Sequence, residues 1–424
     1  MKYRFSDFGK KLTRESGIFE LMRDLDDALN YDNNPYLFLG GGNPPVIEKA
    51  MKVYGEIWRG ISDSEKKLSS LLGYYDSSGG NGNTLKNLAI YFSEKFSYKF
   101  LPSNIAITNG SQNSFFLIFN ILCGKSSDSF KKILLPMLPE YIGYNDTGIF
   151  DDMFIGQPAR IEMTDDIEYE YKIDFDQLKL NEDTGLLAIS RPQNPTTQVI
   201  TENEIEKLAR LADENDIPLL IDNAYGFPFP GEIWDKPEYK YQKNMILTFS
   251  LSKMGLPALR TGIVIGHEKL ISTLKSANAV TSLSPGSLGP AMLNGLLETC
   301  RLDSLCLNVL KPFYFEKKEF AMSQIRENFT EGMVRVHRSK GGFFLWLWFP
   351  NLRITSYELY QNLKKRNVLV VPGNLFSPGS NLVEDIAKKN QNHLDQCIRV
   401  NIAMEKHTVS KGLNIINDEV RKVC

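Results

Sequence analysis

Histidine and cysteine are scarce in this chain. Four His in 424 residues, widely spaced, give no pattern for a His-based metal site. The five Cys (Cys123, Cys300, Cys306, Cys397 and Cys424) are odd in number and scattered, with no Cys-x-x-Cys, which argues against a disulfide framework or a zinc site. An excess of charge is missing too. A formal net charge of −2 offers nothing to a nucleic acid or a membrane surface. Long apolar runs are absent: the best candidate, Phe343–Phe349, reads as a strand, not a membrane span. The segment Met1–Leu12 is charged and polar, without the apolar core of a signal peptide. No internal repeat or low-complexity segment interrupts the chain. These absences lead to the expectation of a soluble protein of the reducing cytoplasm, with no metal, nucleic-acid or membrane partner.

What is present is 42% hydrophobic content over 424 residues, enough for two domains or one large domain with an appendage. From about 104 to 266, short apolar runs alternate with helical patterns. Strands are expected at Ile105–Thr108, Lys132–Leu135, Leu186–Ser190, Pro218–Ile221, Met245–Phe249 and Gly262–Ile265. Thr201 and Glu204 form a capping-box signature for a helix to Asn215, and a second helix opens after Asn109-Gly110-Ser111. Continuous apolar strands separated by helices predict an α/β fold with a mostly parallel sheet covered on both faces. After about 310 the order becomes mixed: helix Tyr314–Asn328, strands Met333–Val336 and Phe343–Phe349, helix Thr355–Arg366, then Val368–Val371 and Ile398–Ile402. That order predicts a smaller α+β domain. The expected division is 1–50 as N-terminal arm and part of the small domain, 51–310 as the large domain and 311–424 as the C-terminal small domain. The polar, acidic segment Asp151–Asn181 reads as a surface excursion of the large domain.

Residues capable of chemistry sit where these strands end. Gly110-Ser111-Gln112 opens a helix whose N–H groups suit an anion, although strand-to-helix turns of this composition are common. Tyr141 follows another strand, either as a plate for a planar cofactor or as a core aromatic. Asn194 lies in a loop stiffened by Pro192 and Pro195, a fixed donor or a turn residue. Asp222 and Tyr225 end a buried strand and suit a heterocyclic nitrogen and a phenolate oxygen; an Asx turn beside a core Tyr is the alternative. Ser250, Ser252, Lys253 and Arg260 combine hydroxyls, an amine and a guanidinium, as required to hold a phosphate and form an imine with an aldehyde. Alone, this stretch also reads as a surface turn. Arg399, between Ile398 and Val400, needs an anion, either a structural carboxylate or that of a substrate.

The combination resembles the fold-type-I pyridoxal-phosphate aminotransferases (class I/II). The likeness runs over nearly the whole chain and is carried by Ser16-Gly17-Ile18, Gly40-Gly41-Gly42-Asn43-Pro44, Thr108-Asn109-Gly110-Ser111-Gln112, Pro139 to Tyr144, Ile221 to Gly226 with Pro228 to Gly231, Ser250-Leu251-Ser252-Lys253 and Phe344 to Phe349. The resemblance implies pyridoxal 5′-phosphate as cofactor, joined to Lys253 as a Schiff base. Lys253, Asp222 and Tyr225 would be catalytic: Asp222 keeps the pyridine nitrogen protonated, and Tyr225 and Asn194 donate to the phenolate oxygen. Tyr141 would stack on the ring. Gly110, Ser111, Gln112, Ser250, Ser252 and Arg260 would surround the phosphate, joined by Tyr75 from the other subunit of a homodimer. Arg399, Gly42 and Asn194 would bind the substrate. The partners implied are an amino acid and a 2-oxo acid. The expected reaction is ping-pong transfer from L-valine to pyruvate, giving 3-methyl-2-oxobutanoate and L-alanine. Aromatic or dicarboxylic substrates, β-elimination, and a regulatory relative without activity are the alternatives. Ile18, Phe19 and Leu21 are expected either as an arm over the site or as ordinary packing. Two departures stand out. Thr197 occupies the last position of the family's Asn-Pro-Thr-Gly, a costly choice if that position needs a positive φ. Arg260 follows Lys253 by seven positions, one fewer than in many relatives.

Overall fold

A computed structural model describes residues 3–14, 36–235, 239–379 and 392–424. The six expected apolar runs join two strands not expected, Gly124–Lys125 and Phe154–Pro158, in a mixed sheet of eight strands. In spatial order these are Ile105–Thr108, Gly262–Ile265, Met245–Ser250, Leu219–Asp222, Thr184–Ser190, Phe130–Leu138 and Gly124–Lys125, with Phe154–Pro158 also paired to Phe130–Leu138. The strands from Phe154–Pro158 across to Met245–Ser250 run parallel, and Gly262–Ile265 is antiparallel to both its neighbours. Alternate residues of each strand feed opposite faces. Ile107, Leu187, Ile189, Leu219, Ile221, Leu247 and Ile263 face the helices Gly82–Phe96 and Glu202–Glu214. Ala106, Leu186, Ala188, Leu220, Ile246 and Val264 face the helices Ser111–Leu122 and Glu268–Ser282. Burial on both sides is why these strands read as unbroken apolar runs. The capping box forms as expected: Thr201 Oγ1 accepts from Glu204 N–H, and the Glu204 carboxylate accepts from Thr201 N–H at 2.9 Å.

A second sheet of six strands runs Val371–Pro372, Cys397–Asn401, Phe344–Trp348, Arg335–His337, Glu168–Lys172 and Arg160–Met163. Its outer two strands correct the reading of Asp151–Asn181 as a surface excursion: residues 160–172 extend this sheet, Glu168 and Tyr169 pairing with Val336 and His337. The period-two pattern Glu168-Tyr169-Glu170-Tyr171-Lys172 buries both tyrosines, and its acidic residues masked that alternation. Val368–Val371, expected as one strand, divides: Val368–Leu369 pairs with Leu37–Phe38, and Val371–Pro372 pairs with Cys397–Asn401. Arg399 sits opposite Trp346 and Val371 in register, which puts its side chain on their face of the sheet. Asn401 N–H donates to Leu39 O and Asn401 Nδ2 to Gly41 O, both at 2.6 Å. These bonds lay residues 39–42 across the strand that carries Arg399. Among the described residues, no helix is long and apolar enough to cross a membrane.

Candidate active site

The ends of the large-sheet strands surround a cavity of about 130 Å³. Its walls are Ser111, Gln112, Phe115, Tyr141, Ser190, Pro192, Asn194, Asp222, Ala224, Tyr225, Ser250, Ser252, Lys253 and Arg260. Most of the expected cofactor residues are therefore brought together. The ligand crevice lies at the C-terminal ends of parallel strands, as an open α/β sheet dictates.

Lys253 enters from the short turn Ser252–Met254, which follows the strand Met245–Ser250. Ser250 Oγ accepts from Ser252 N–H at 3.1 Å and tightens that turn. Lys253 Nζ donates to Gly42 O at 2.6 Å, so residues 40–42 reach the amine directly. Loss of hydration lowers the Lys253 pKa to about 8, with Arg399 and Arg260 also pressing it down and Glu232 and Asp222 opposing. A lysine so shifted has an appreciable neutral fraction near pH 7, the condition for forming an imine.

Asp222 ends its strand with 5% of its surface exposed. Tyr144 Oη donates to its Oδ2 at 2.9 Å, and Ala224 N–H donates to Oδ1 at 2.9 Å. Burial raises its pKa to about 6 despite these bonds. Asp222 can thus hold a proton or meet a protonated ring nitrogen. Tyr144 is a partner that the sequence reading passed over. It lies in the quoted Pro139 to Tyr144 string, three positions beyond Tyr141, and its ring meets Tyr141 edge-on at 5.3 Å. Glu140, also passed over, is fully buried. It accepts from Tyr141 N–H at 2.8 Å and Ser190 N–H at 2.9 Å, joining two strand ends beneath the cavity.

At the opposite end of the cavity, Gly110 has φ +94° and caps the helix Ser111–Leu122. A Cβ added there would lie 2.5 Å from Arg260 Nη2, so only glycine allows the guanidinium to approach this helix N-terminus. Gly262 closes on the same point: a Cβ would meet Ser111 N at 2.7 Å. Free N–H groups, hydroxyls and a guanidinium are thereby gathered as an anion site. Gln112 is braced instead, its Nε2 donating to Gly143 O at 2.9 Å in the Tyr141 loop.

Arg399 approaches from the second sheet, 5% exposed. Its Nη1 donates to Asn194 Oδ1 at 2.7 Å and its Nη2 to Gly40 O at 2.6 Å, while its Nε has no partner among the described residues. The guanidinium lies 4.2 Å from the Phe344 ring centre. Burial lowers its pKa to about 10, which leaves it a cation at neutral pH. Thr197 does take a positive φ, +63°, in the loop that carries Asn194. Tyr75 is 84% exposed and is not among the residues lining this cavity. Ser16-Gly17-Ile18, Phe19 and Leu21 lie outside the described residues.

The donor set can be tested against a planar pyridine aldehyde with a phosphate tail. Among the described residues the buried Tyr225 hydroxyl has no partner and needs one, as does Arg399 Nε. The cradle at Gly110 offers cationic and N–H donors, and Asp222 is suited to a ring N–H. The pieces fit, and the fold and site together define a pyridoxal-phosphate-dependent aminotransferase of fold type I. The chain belongs to the aminotransferase class I and II family, whose model matches residues 75–416. It is 41% identical over 419 residues to the valine–pyruvate aminotransferase of Escherichia coli K12, covering 99% of this chain and 98% of that one. It resembles the crystal structure of a Psychrobacter arcticum 273-4 protein assigned as an amino-acid aminotransferase, with TM-score 0.94, 36% identity and coverage of 100% and 99%. The crystal structure of valine–pyruvate aminotransferase from Salmonella typhimurium LT2 gives TM-score 0.86 at 38% identity, covering 96% of this chain and 99% of that one.

Proposed function

We propose that this enzyme moves the amino group of L-valine to pyruvate, giving 3-methyl-2-oxobutanoate and L-alanine. Relatedness over 99% of the chain to the E. coli valine–pyruvate aminotransferase carries this reading. When bound, pyridoxal phosphate supplies an electron sink that lets the substrate α-carbon lose its proton. The chain does the rest. Arg399 takes the α-carboxylate with Nε and the guanidinium edge, and Gly42, lacking a side chain, leaves room beside the amine. Lys253 Nζ would hold the cofactor at its aldehyde carbon and, as a free amine, carries the proton to and from the substrate α-carbon. Asp222 would keep the ring nitrogen protonated. Tyr225 Oη and Asn194 Nδ2 would donate to the phenolate oxygen, and Tyr141 would cover the ring. Gly110, Ser111, Ser250, Ser252 and Arg260 would enclose the phosphate.

A homodimer belongs to the same proposal. Leu72, Tyr74 and Tyr75 are 75%, 76% and 84% exposed, and such adjacent apolar area suits burial against a second copy that receives Tyr75 at its phosphate site. A cytoplasmic setting fits five free thiols. The test is direct. Purified protein with L-valine and pyruvate is expected to form L-alanine, and Lys253→Ala to lose this by about 10⁴-fold or more. Absence of alanine, with pyruvate released from cystathionine, would overturn the valine reading in favour of β-elimination.

A further inference from the structure

One buried carboxylate collects several of the elements that wall the cavity. Glu140 is fully buried, between Pro139 and Tyr141. Its Oε1 accepts from Tyr141 N–H at 2.8 Å and from the Ser190 hydroxyl. Its Oε2 accepts from Ser190 N–H at 2.9 Å and from Gln193 Nε2 at 3.3 Å. Four donors meet two oxygens, which is the full acceptor capacity of a carboxylate. None of the four is a cation.

Three of these donors cannot reverse. Two are main-chain N–H groups. The third, the Gln193 amide, is held the same way round by other bonds: its Nε2 also donates to Met137 O at 3.2 Å, and its Oε1 accepts from Thr196 Oγ1 at 3.1 Å. Only the Ser190 hydroxyl can turn to accept, so the arrangement suits the anion. Burial pushes the Glu140 carboxyl up to about 7, and the bonds from Ser190, Tyr141 and Gln193 oppose that rise.

The partners come from separate parts of the chain. Tyr141 opens the loop beyond the strand Phe130–Leu138, and Ser190 ends the strand Thr184–Ser190. Gln193 precedes Asn194 in a loop closed by Thr197 N–H to Gln193 O and Gln193 N–H to Gln198 O, both at 2.8 Å. Tyr141, Ser190 and Asn194 line the cavity, whereas Glu140 does not. The main chain adds a further tie. Glu140 N–H donates to Phe376 O at 3.0 Å, and the Phe376 ring centre lies 5.2 Å from the Arg399 guanidinium.

We propose that Glu140 is a positioning residue for the cofactor. Its carboxylate sets Tyr141, which would cover the ring, at a fixed spacing from Asn194, which would reach the phenolate oxygen. It acts through these two residues and through Ser190. The proposal rests on this cavity being the seat of pyridoxal phosphate.

In Glu140→Gln one amide oxygen replaces two carboxylate oxygens, and the new NH2 faces an N–H donor whichever way it turns. The full chain without pyridoxal phosphate would be followed by amide hydrogen exchange and mass spectrometry. Exchange is expected to quicken about tenfold in the peptides holding Tyr141 and Ser190 and to hold elsewhere. A uniform rise along the chain, or none in these two peptides, overturns the proposal. Pyridoxal phosphate titrated into the variant is expected to bind about tenfold more weakly, with a shift of its visible circular-dichroism band. A band like the parent's overturns the proposal whatever the affinity, because the ring would then sit unmoved. If Glu140→Gln does not fold, Ser190→Ala removes one donor and keeps the charge. The Tyr141 peptide is then expected to quicken about threefold, and an unchanged Tyr141 peptide overturns the proposal. A parent chain that binds no pyridoxal phosphate would overturn the cofactor reading and this proposal with it. A parent that binds it while Glu140→Gln behaves alike overturns the proposal alone.

Discussion

Two buried carboxylates, one in each sheet, are treated in opposite ways. In the second sheet, Glu170 is 5% exposed and meets Lys172 Nζ at 2.7 Å and Lys340 Nζ at 2.8 Å. Burial pushes its carboxyl up, but the two lysines outweigh that and hold it at about 2. At the large-sheet edge, Asp222 is equally buried, yet its hydrogen-bond partners are a phenol, an amide and the Thr248 hydroxyl. Burial wins there, and the pKa climbs to about 6. Cations divide by their place at the site, not by sheet. Arg191, at the end of a large-sheet strand, meets Glu202 at 3.1 Å, whereas Arg399, in the second sheet but beside the cavity-lining Asn194, bonds amide and carbonyl oxygens. Charge matched inside the chain supports the fold. Charge left unmatched around the site is held for a ligand that supplies the opposite sign.

The sharpest way to break this contrast is to neutralise one carboxylate in each sheet. Asp222→Asn keeps the shape but cannot hold a ring proton, and kcat is expected to fall by about 10³-fold, measured as alanine formation. Glu170→Gln should leave kcat near the parent value and instead cost about 3 kcal/mol of stability in urea unfolding, because two lysines lose their partner. A large loss of turnover in Glu170→Gln, with stability unchanged, would erase the distinction.

The pH dependence of these losses carries opposite signs. The Glu170 pKa is below its ordinary value of 4.5, so its stabilisation is present above that pH and disappears as the pH falls toward 2. The Asp222 pKa lies above its ordinary 3.8, so its ionisation costs stability as the pH rises from 3.8 through about 6. Without cofactor, Asp222→Asn is therefore expected to be more stable than the parent above pH 6, with the difference shrinking in acid. Unfolding midpoints across that range would test both signs at once.

Legibility in the sequence followed the same line. Six of the eight large-sheet strands were readable because burial on both faces makes continuous apolar runs, and five of these placed a chemical residue beyond their ends; Gly124–Lys125 and Phe154–Pro158 were not read. Arg399 was readable as a charge inside an apolar strand. Glu170 and its strand were not, because acidic residues concealed the alternating tyrosines. Glu140 and Tyr144 were missed for a different reason: nothing local marks an acid or phenol as buried against a neighbouring strand end. Sequence periodicity reports which face a residue takes, whereas these two depend on which loops meet.

Arg399 gives the next test. A lysine there keeps the positive charge but loses the planar fork and its fit against Phe344. Arg399→Lys is expected to lower kcat/KM for L-valine by about 10²-fold, mostly through KM, because the carboxylate loses a bidentate partner. If kcat fell and KM held, Arg399 would act at a later stage than carboxylate binding, and its unmatched Nε would need another explanation.

The backbone of the site edge offers the smallest effect. Thr197 is 1% exposed at φ +63°, held by its N–H donating to Gln193 O at 2.8 Å, with its methyl near Gly342. A left-handed conformation costs a side-chain-bearing residue about 1–2 kcal/mol. Thr197→Gly removes that cost, but the freer unfolded chain takes back about 0.5–1 kcal/mol. Loss of the buried methyl takes about 0.8 kcal/mol more. The terms nearly cancel, so stability should stay within about 0.5 kcal/mol of the parent. Thr197→Ala decides whether the strain is real. It keeps the left-handed penalty while losing the same packing, and is expected to be less stable than Thr197→Gly by about 0.5–1 kcal/mol. At ordinary backbone angles that order reverses, with alanine the more stable. Urea midpoints showing Thr197→Ala above Thr197→Gly would mean that the loop relaxes out of the positive φ, and that the donor Asn194 is held less rigidly than the matched charges of the second sheet.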